Sequence, residues 1–505
     1  MSVRIALDNP HTFYTNLDFI SGRIILSLTS DENVSAILVK LEGESRTVLM
    51  RPMGPMPGQP MYSQRDRRRE GIATENHKIL YKVAQVFPTT GPNQTPMSGM
   101  AYTLRAGQHE YPFRIKIPFN NGCSDPQQQQ IMGAFGGFGL SGMQQMQYRH
   151  VKRTLPPSLT GFPGEAEIRY YIKVTVQRPS LFKENRRSAI GFKFLPIEPP
   201  RPPKTQNEVY ARRPYEFQAG LAGYGKKSSM FKKTPTKMSD TAPKGEIDAR
   251  LPSPAVLTCN ESIPLRVIAR KLNESAEHVF LTSLQVHLVG FTEVRAQDVA
   301  RTETSNWVLL STSGLSIPIS APGDELRKET VVDTSLWDSI PLPNTVAPSF
   351  HTCNLTRRYE LEVRVGLGYG VPGEIQPQTI TLPLRFQIEI YSGISPPAAL
   401  LDAIASQPIR PTVPVRPAQP ASAADPLYPP QAPPGGPAAD DAPPSYEDAM
   451  AEDISPADGP RREYSGVTDV NAPGLDEKGA APRYSSIQGN PGPGRGGPGA
   501  MGGVI

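Results

Sequence analysis

One short motif in this 505-residue chain joins residue types and spacing that suit a defined chemistry: Pro443-Pro444-Ser445-Tyr446, followed by Glu447 and Asp448. The two prolines preset a polyproline II turn, so little entropy is lost when they dock in an aromatic groove. The tyrosine adds a flat apolar face with a polar tip. This is the PPxY pattern that WW domains bind. Tyr428 before Pro429 and Pro430 has the reverse order and does not repeat it. A second candidate is a basic run, Lys226-Lys227, Lys232-Lys233 and Lys237. Clusters of four to eight Lys or Arg are drawn to anionic leaflets by about 1 kcal/mol each. A solvated, self-repelling linker is the alternative reading of the same lysines. Catalytic constellations are missing from the sequence. No phosphate-cradling Gly loop with Lys-Ser/Thr, HExxH, CxxC or GxSxG in a strand-turn-helix setting occurs. The seven histidines lack metal-ligand spacing. No catalytic residue, cofactor or metal is therefore expected, and without a recognisable nucleic-acid module neither is a nucleic-acid partner.

The elements that must carry these motifs read as strands. Ile168, Tyr170, Ile172, Val174 and Val176 alternate with polar or aromatic neighbours, the period of a strand with one buried face. Phe113, Ile115 and Ile117 do the same, as do Ile24 to Leu28, Ile37 to Leu41 and Ile190 to Phe194. A second group lies further along: Leu265 and Val267, Leu284 to Leu288, Tyr359 to Val365, and Leu384 to Ile390. The chain holds 56 Pro and 43 Gly, which argues against a helical globule. The expected fold is all-β: two tandem immunoglobulin-like sandwiches with long inserted loops. The first spans 1–196, with loops at 51–75, 88–100 and 122–158, and the second spans 251–395. Residues 197–250 between them read as a basic, Pro-rich linker, and His287 is expected to be exposed or satisfied by hydrogen bonds. Of the prolines, 22 fall in 396–505, which also carries seven basic residues against thirteen acidic. Such a segment cannot bury enough surface to offset its ordering entropy, so a disordered acidic tail is expected.

Met1 to Pro10 carries no apolar signal core, and no apolar run approaches the length of about 18 residues that a membrane helix needs. Cys123, Cys259 and Cys353 lie far apart, which fits reduced thiols and a cytosolic location.

The order of these segments resembles the α-arrestins, above all the fungal arrestin-related trafficking adaptors. Ile5-Ala6-Leu7-Asp8-Asn9-Pro10, Ile20-Ser21-Gly22-Arg23-Ile24 and Tyr111 to Pro118 are similar to strands of an arrestin N-domain. Ile263-Pro264-Leu265-Arg266-Val267 and Leu284 to Leu288 are similar to an arrestin C-domain, and the PPxY tail follows. The resemblance implies a non-enzymatic adaptor that links integral membrane cargo, a transporter or receptor, to a HECT-type ubiquitin ligase with WW domains. The outcome would be ubiquitin-dependent endocytosis, with a cytoplasmic protein recruited to plasma membrane and endosomes. On this basis Pro443, Pro444 and Tyr446 recruit the ligase. An arrestin-fold scaffold for endosomal sorting or ambient-pH signalling, without ligase recruitment, is the alternative.

Overall fold

The computed structural model describes residues 1–8, 10–51, 71–89, 101–123, 153–162, 165–179, 184–203, 205–218, 242–405, 453–457 and 464. Alternating apolar residues build the first sandwich from β1 (Ser2–Leu7), β2 (Phe19–Leu28), β3 (Glu32–Val34), β4 (Ala36–Met50), β5 (Ile72–Phe87), β6 (Tyr102–Leu104), β7 (Gly107–Lys116), β8 (Leu159–Phe162), β9 (Ala166–Gln177) and β10 (Arg186–Phe192). One sheet runs β1-β2-β7. The other runs β10-β9-β4-β5, with β8 against β9. The inward faces are the ones the alternation marks: Ile20, Ile24 and Leu26 meet Ile37, Val39, Leu41, Ile168, Ile172 and Val174 in one buried cluster. Gly43 sits where a Cβ would lie 2.7 Å from the Tyr170 ring, so the two strands approach there only because no side chain intervenes.

The second sandwich contains β11 (Glu208–Glu216), β12 (Lys244–Pro252), β13 (Val256–Thr258), β14 (Arg266–Lys271), β15 (His278–Ala296), β16 (Val299–Ser320), β17 (Glu329–Val331), β18 (Phe350–His351), β19 (Leu355–Val371) and β20 (Glu374–Tyr391). Its sheets run β11-β12-β14-β17 and β13-β20-β19-β15-β16, with β18 on β19. A single helix, α1 (Ala398–Ala405), follows among the described residues.

Four expectations change. The stretch 197–250 is not linker throughout, since β11 and β12 lie inside it and pair with each other. The strand β11 hides its nature because it is an edge. Only Tyr215 of its nine residues is buried, and Pro214 is tolerated there because an edge strand needs fewer ladder donors. Its Arg212 pairs with Asp248 of β12, and Arg213 donates to the Pro383 carbonyl, instead of presenting an apolar face. The end of the 122–158 loop belongs to the core: Leu155 and Ser158 are buried, and the Tyr170 hydroxyl donates to the Pro156 carbonyl at 2.6 Å. The tail is ordered at its start, where Leu400 of α1 is buried. His287 is also buried, and neither ring nitrogen has a hydrogen-bond partner among the described residues. No helix among the described residues is long and apolar enough to cross a membrane.

Candidate functional site

The two sandwiches meet along a polar seam with a buried core. From the second sandwich, Val294, Ala296, Cys353 and Leu355 enter the apolar cluster of the first. Around them the contacts are hydrogen bonds. Ser45 Oγ donates to Asn354 Oδ1 at 2.7 Å, and Asn354 Nδ2 donates back to the Ser45 carbonyl at 3.1 Å. Thr47 Oγ1 donates to the Arg295 carbonyl at 2.6 Å. At the rim, Arg51 reaches Asp298 at 2.7 Å.

Glu75, on β5, is the hub. Its carboxylate is buried and accepts from Arg295 Nη2 at 3.0 Å and from the Gln297 amide at 2.7 Å, both on the second sandwich. It also accepts from His77 Nε2 at 2.6 Å. The other ring nitrogen, Nδ1, lies 3.3 Å from Cys123 Sγ, and Cys123 Sγ lies 3.8 Å from Cys353 Sγ. Local structure explains the convergence. Residues Glu75 and His77 share one face of β5 by the two-residue strand period. The Gly122 amide bonds the Ile79 carbonyl at 2.9 Å, which holds Cys123 beside that strand. The turn into β19 is closed by Thr352, whose hydroxyl accepts from the Leu355 amide at 2.9 Å and so fixes Cys353. Burial works against a charged His77, but Cys353 and Glu75 outweigh it and push the imidazole up to about 9. The expectation that no histidine has metal-ligand surroundings rested on spacing along the chain. Folding brings one histidine and two cysteines together across separations of 46 and 230 residues. No sequence pattern at such distances could have marked them.

A second convergence lies where the chain crosses between sandwiches. Leu17, Ile197 and Leu400 are packed with Ile454, and Phe13 and Leu195 with Tyr464. Lys116 Nζ donates to the Ile454 carbonyl at 2.5 Å. Described tail residues thus pack on the body both at Leu400 and again at Ile454 and Tyr464. The fit is imperfect: the Tyr464 hydroxyl is buried with no hydrogen-bond partner among the described residues, and burial pushes its pKa far up. An unsatisfied buried hydroxyl costs about 1–3 kcal/mol. Accordingly Tyr464→Phe is expected to tighten the docked tail, and Ile454→Asp to release it. Hydrogen exchange at residues 453–457 checks both; protection should rise in the first variant and vanish in the second.

Near this crossing a cleft of about 550 Å³ opens between the sandwiches, bordered by Arg153, His351, Arg357, Arg358 and Tyr391. Burial and Arg153 both hold His351 below its ordinary value. Glu198 and Glu389 line the same cleft, and Arg358 is paired with Glu293, so the cleft carries both signs of charge.

Neither sequence candidate falls within this geometry. Pro443, Pro444, Ser445 and Tyr446 lie outside the described residues, as do Lys226, Lys227, Lys232, Lys233 and Lys237. What can be placed is their bracket. The lysines lie between β11 and β12, and the motif lies between α1 and Ile454.

Comparison with known proteins finds likeness confined to part of the chain. Residues 3–137 match the family described as arrestin (or S-antigen), N-terminal domain. The chain is 26% identical over 137 residues to a protein of Lachancea thermotolerans named arrestin-related trafficking adapter 10, covering 26% of this chain and 30% of that one. It is 32% identical over 99 residues to an arrestin domain-containing protein of Schizosaccharomyces pombe, covering 20% of this chain and 14% of that one. The matches thus span less than a third of either relative's length.

Proposed function

We propose that the chain is an arrestin-fold trafficking adaptor of the α-arrestin type that joins membrane cargo to a WW-domain ubiquitin ligase of the HECT type, a reading supported by the family match at residues 3–137 and the two curated relatives. On this reading the cargo is an integral transporter or receptor, and its ubiquitination leads to endocytosis. The protein works from the cytoplasm and is recruited to plasma membrane and endosomes.

The observation that carries the reading is the position of Pro443-Pro444-Ser445-Tyr446 just ahead of a docked segment. Asp453 lies seven positions after Tyr446, and a fully extended chain covers roughly 3.5 Å per residue. While Ile454 stays docked, a bound ligase is held within about 25 Å of the body. Cargo on the sandwich surface then lies within the ligase's reach. The test is a pull-down with isolated WW domains, comparing the intact chain with Tyr446→Ala. Equal binding by the two would favour the ligase-independent scaffold.

The lysines between β11 and β12 are the proposed contact with an anionic membrane surface. Arg212 and Arg213 in the same stretch are not part of it: Arg212 pairs with Asp248 and Arg213 bonds the Pro383 carbonyl. Neutralising Lys232 and Lys233 together should remove about 2 kcal/mol, or roughly 30-fold in affinity. Flotation with phosphatidylserine vesicles measures this, and unchanged affinity would rule out the patch.

A further inference from the structure

We propose that His77, Cys123 and Cys353 form a site for a thiophilic d10 cation, zinc(II) in the first instance, that staples the two sandwiches across their seam. The three ligand atoms lie within 4.8 Å of one another, and all three residues are buried. Their spacing is that of a coordination shell. With Zn–S near 2.3 Å and Zn–N near 2.0–2.1 Å, a tetrahedral centre sets its sulfurs about 3.8 Å apart and sulfur and nitrogen about 3.5 Å apart. The observed separations are 3.8 Å for Cys123 Sγ to Cys353 Sγ and 3.3 Å for His77 Nδ1 to Cys123 Sγ.

The surroundings fit as well as the distances. A metal-bound imidazole ordinarily gives its other ring N–H to a carboxylate, which fixes the tautomer and raises ligand basicity. Here Glu75 accepts from His77 Nε2 at 2.6 Å, which turns Nδ1 toward the sulfurs. Glu75 itself is held from the opposite sandwich by Arg295 and Gln297. Arg295 also donates to the Cys353 carbonyl at 2.5 Å, orienting the turn that carries the second sulfur. Binding displaces the two thiol protons and the Nδ1 proton. Two thiolates then neutralise a divalent ion, so the buried site carries no net charge from its metal and sulfurs. Soft sulfur ligands exclude magnesium and calcium, which take oxygen shells. Three ligands from the chain suit zinc(II) with one further ligand and copper(I) with none, and these two are the sources the test must separate.

The location gives the site its consequence. His77 and Cys123 belong to the first sandwich and Cys353 to the second, so the metal would be a removable cross-link between domains. Losing it would leave the polar contacts and the Val294, Ala296 and Leu355 packing to set their relative orientation.

The full chain, made without a histidine tag and reduced, is stripped with chelator and titrated with zinc(II), with cobalt(II), and separately with copper(I) in competition with a chromogenic chelator. Stoichiometric zinc and a tetrahedral cobalt spectrum with thiolate charge transfer are expected from the unaltered chain. Stoichiometric metal in the copper arm alone would assign copper(I) and overturn zinc as the occupant. The expected pattern in variants is loss in His77→Ala and Cys353→Ser and retention in Cys259→Ser. Glu75→Gln should keep the stoichiometry but weaken affinity roughly 10- to 100-fold. Because removing a buried group can itself loosen the seam, the unaltered chain decides. A thiolate-free cobalt spectrum, full retention in Cys353→Ser, or a Cys123–Cys353 disulfide in the reduced, freshly isolated protein would each overturn the site.

Discussion

Replacing Tyr446 by Ala is expected to cut WW-domain binding by at least about 30-fold and to stop ligase-dependent ubiquitination of the cargo. Buried aromatic anchors at interfaces commonly cost 2 kcal/mol or more on truncation, and 1.4 kcal/mol is tenfold. Only one copy of the motif occurs in the chain. No second copy stands by to supply avidity, which would otherwise mask a single lesion by raising effective concentration. The substitution lies outside both sandwiches and should leave thermal stability unchanged. Calorimetric titration with an isolated WW domain, alongside the melting curve, gives both numbers. Undiminished binding with an intact fold would remove the ligase from the proposed function.

Asp248→Ala should be strongly destabilising, at about 3 kcal/mol. Asp248 lies on β12, fully buried, and accepts from three guanidiniums: Arg212 at 2.6 and 3.0 Å, Arg250 at 3.1 Å and Arg270 at 2.8 Å. Removing one member of a buried ionic cluster leaves like charges unpaired, which typically costs 3–5 kcal/mol. The arginines keep Glu208, Glu246 and Glu329 as further partners, which argues for the lower end. The effect depends on pH with a defined sign. Burial pushes the Asp248 carboxyl up, but Arg212, Arg250 and Arg270 together hold it below its ordinary value. Its folded pKa is thus below the unfolded value of about 3.9. Its stabilisation is complete above that value and is lost as pH falls through the folded pKa. Urea melts followed by hydrogen exchange in β11 and β12 should therefore show a large gap between parent and variant at neutral pH. The gap should narrow as the solution is acidified below pH 4 or so. A gap that held constant would mean that Asp248 acts through packing alone.

Much of the architecture could be read from residue order. Side-chain alternation is a local property, and in β9 it marks the buried set Ile168, Tyr170, Ile172, Val174 and Val176 correctly. It fails where burial is one-sided or electrostatic. The edge strand β11 is held by ion pairs and looks like linker. The face of β15 opposite Leu284, Val286 and Leu288 looks solvent-facing, yet β16 and β19 flank His287 and bury it. A proline-rich composition likewise hides the few apolar residues, Leu400, Ile454 and Tyr464, that find a surface to cover.

By itself, then, the sequence determined the strand set, the two-sandwich plan and the PPxY motif, because each is written in residues a few positions apart. Tertiary structure alone decided that a tail residue such as Ile454 returns to the crossing between sandwiches, and that His77, Cys123 and Cys353 share one buried point. Those meetings depend on strand register and on one sandwich docking against another. Neither leaves a periodic trace, because the partners come together over hundreds of residues through the packing of whole sheets.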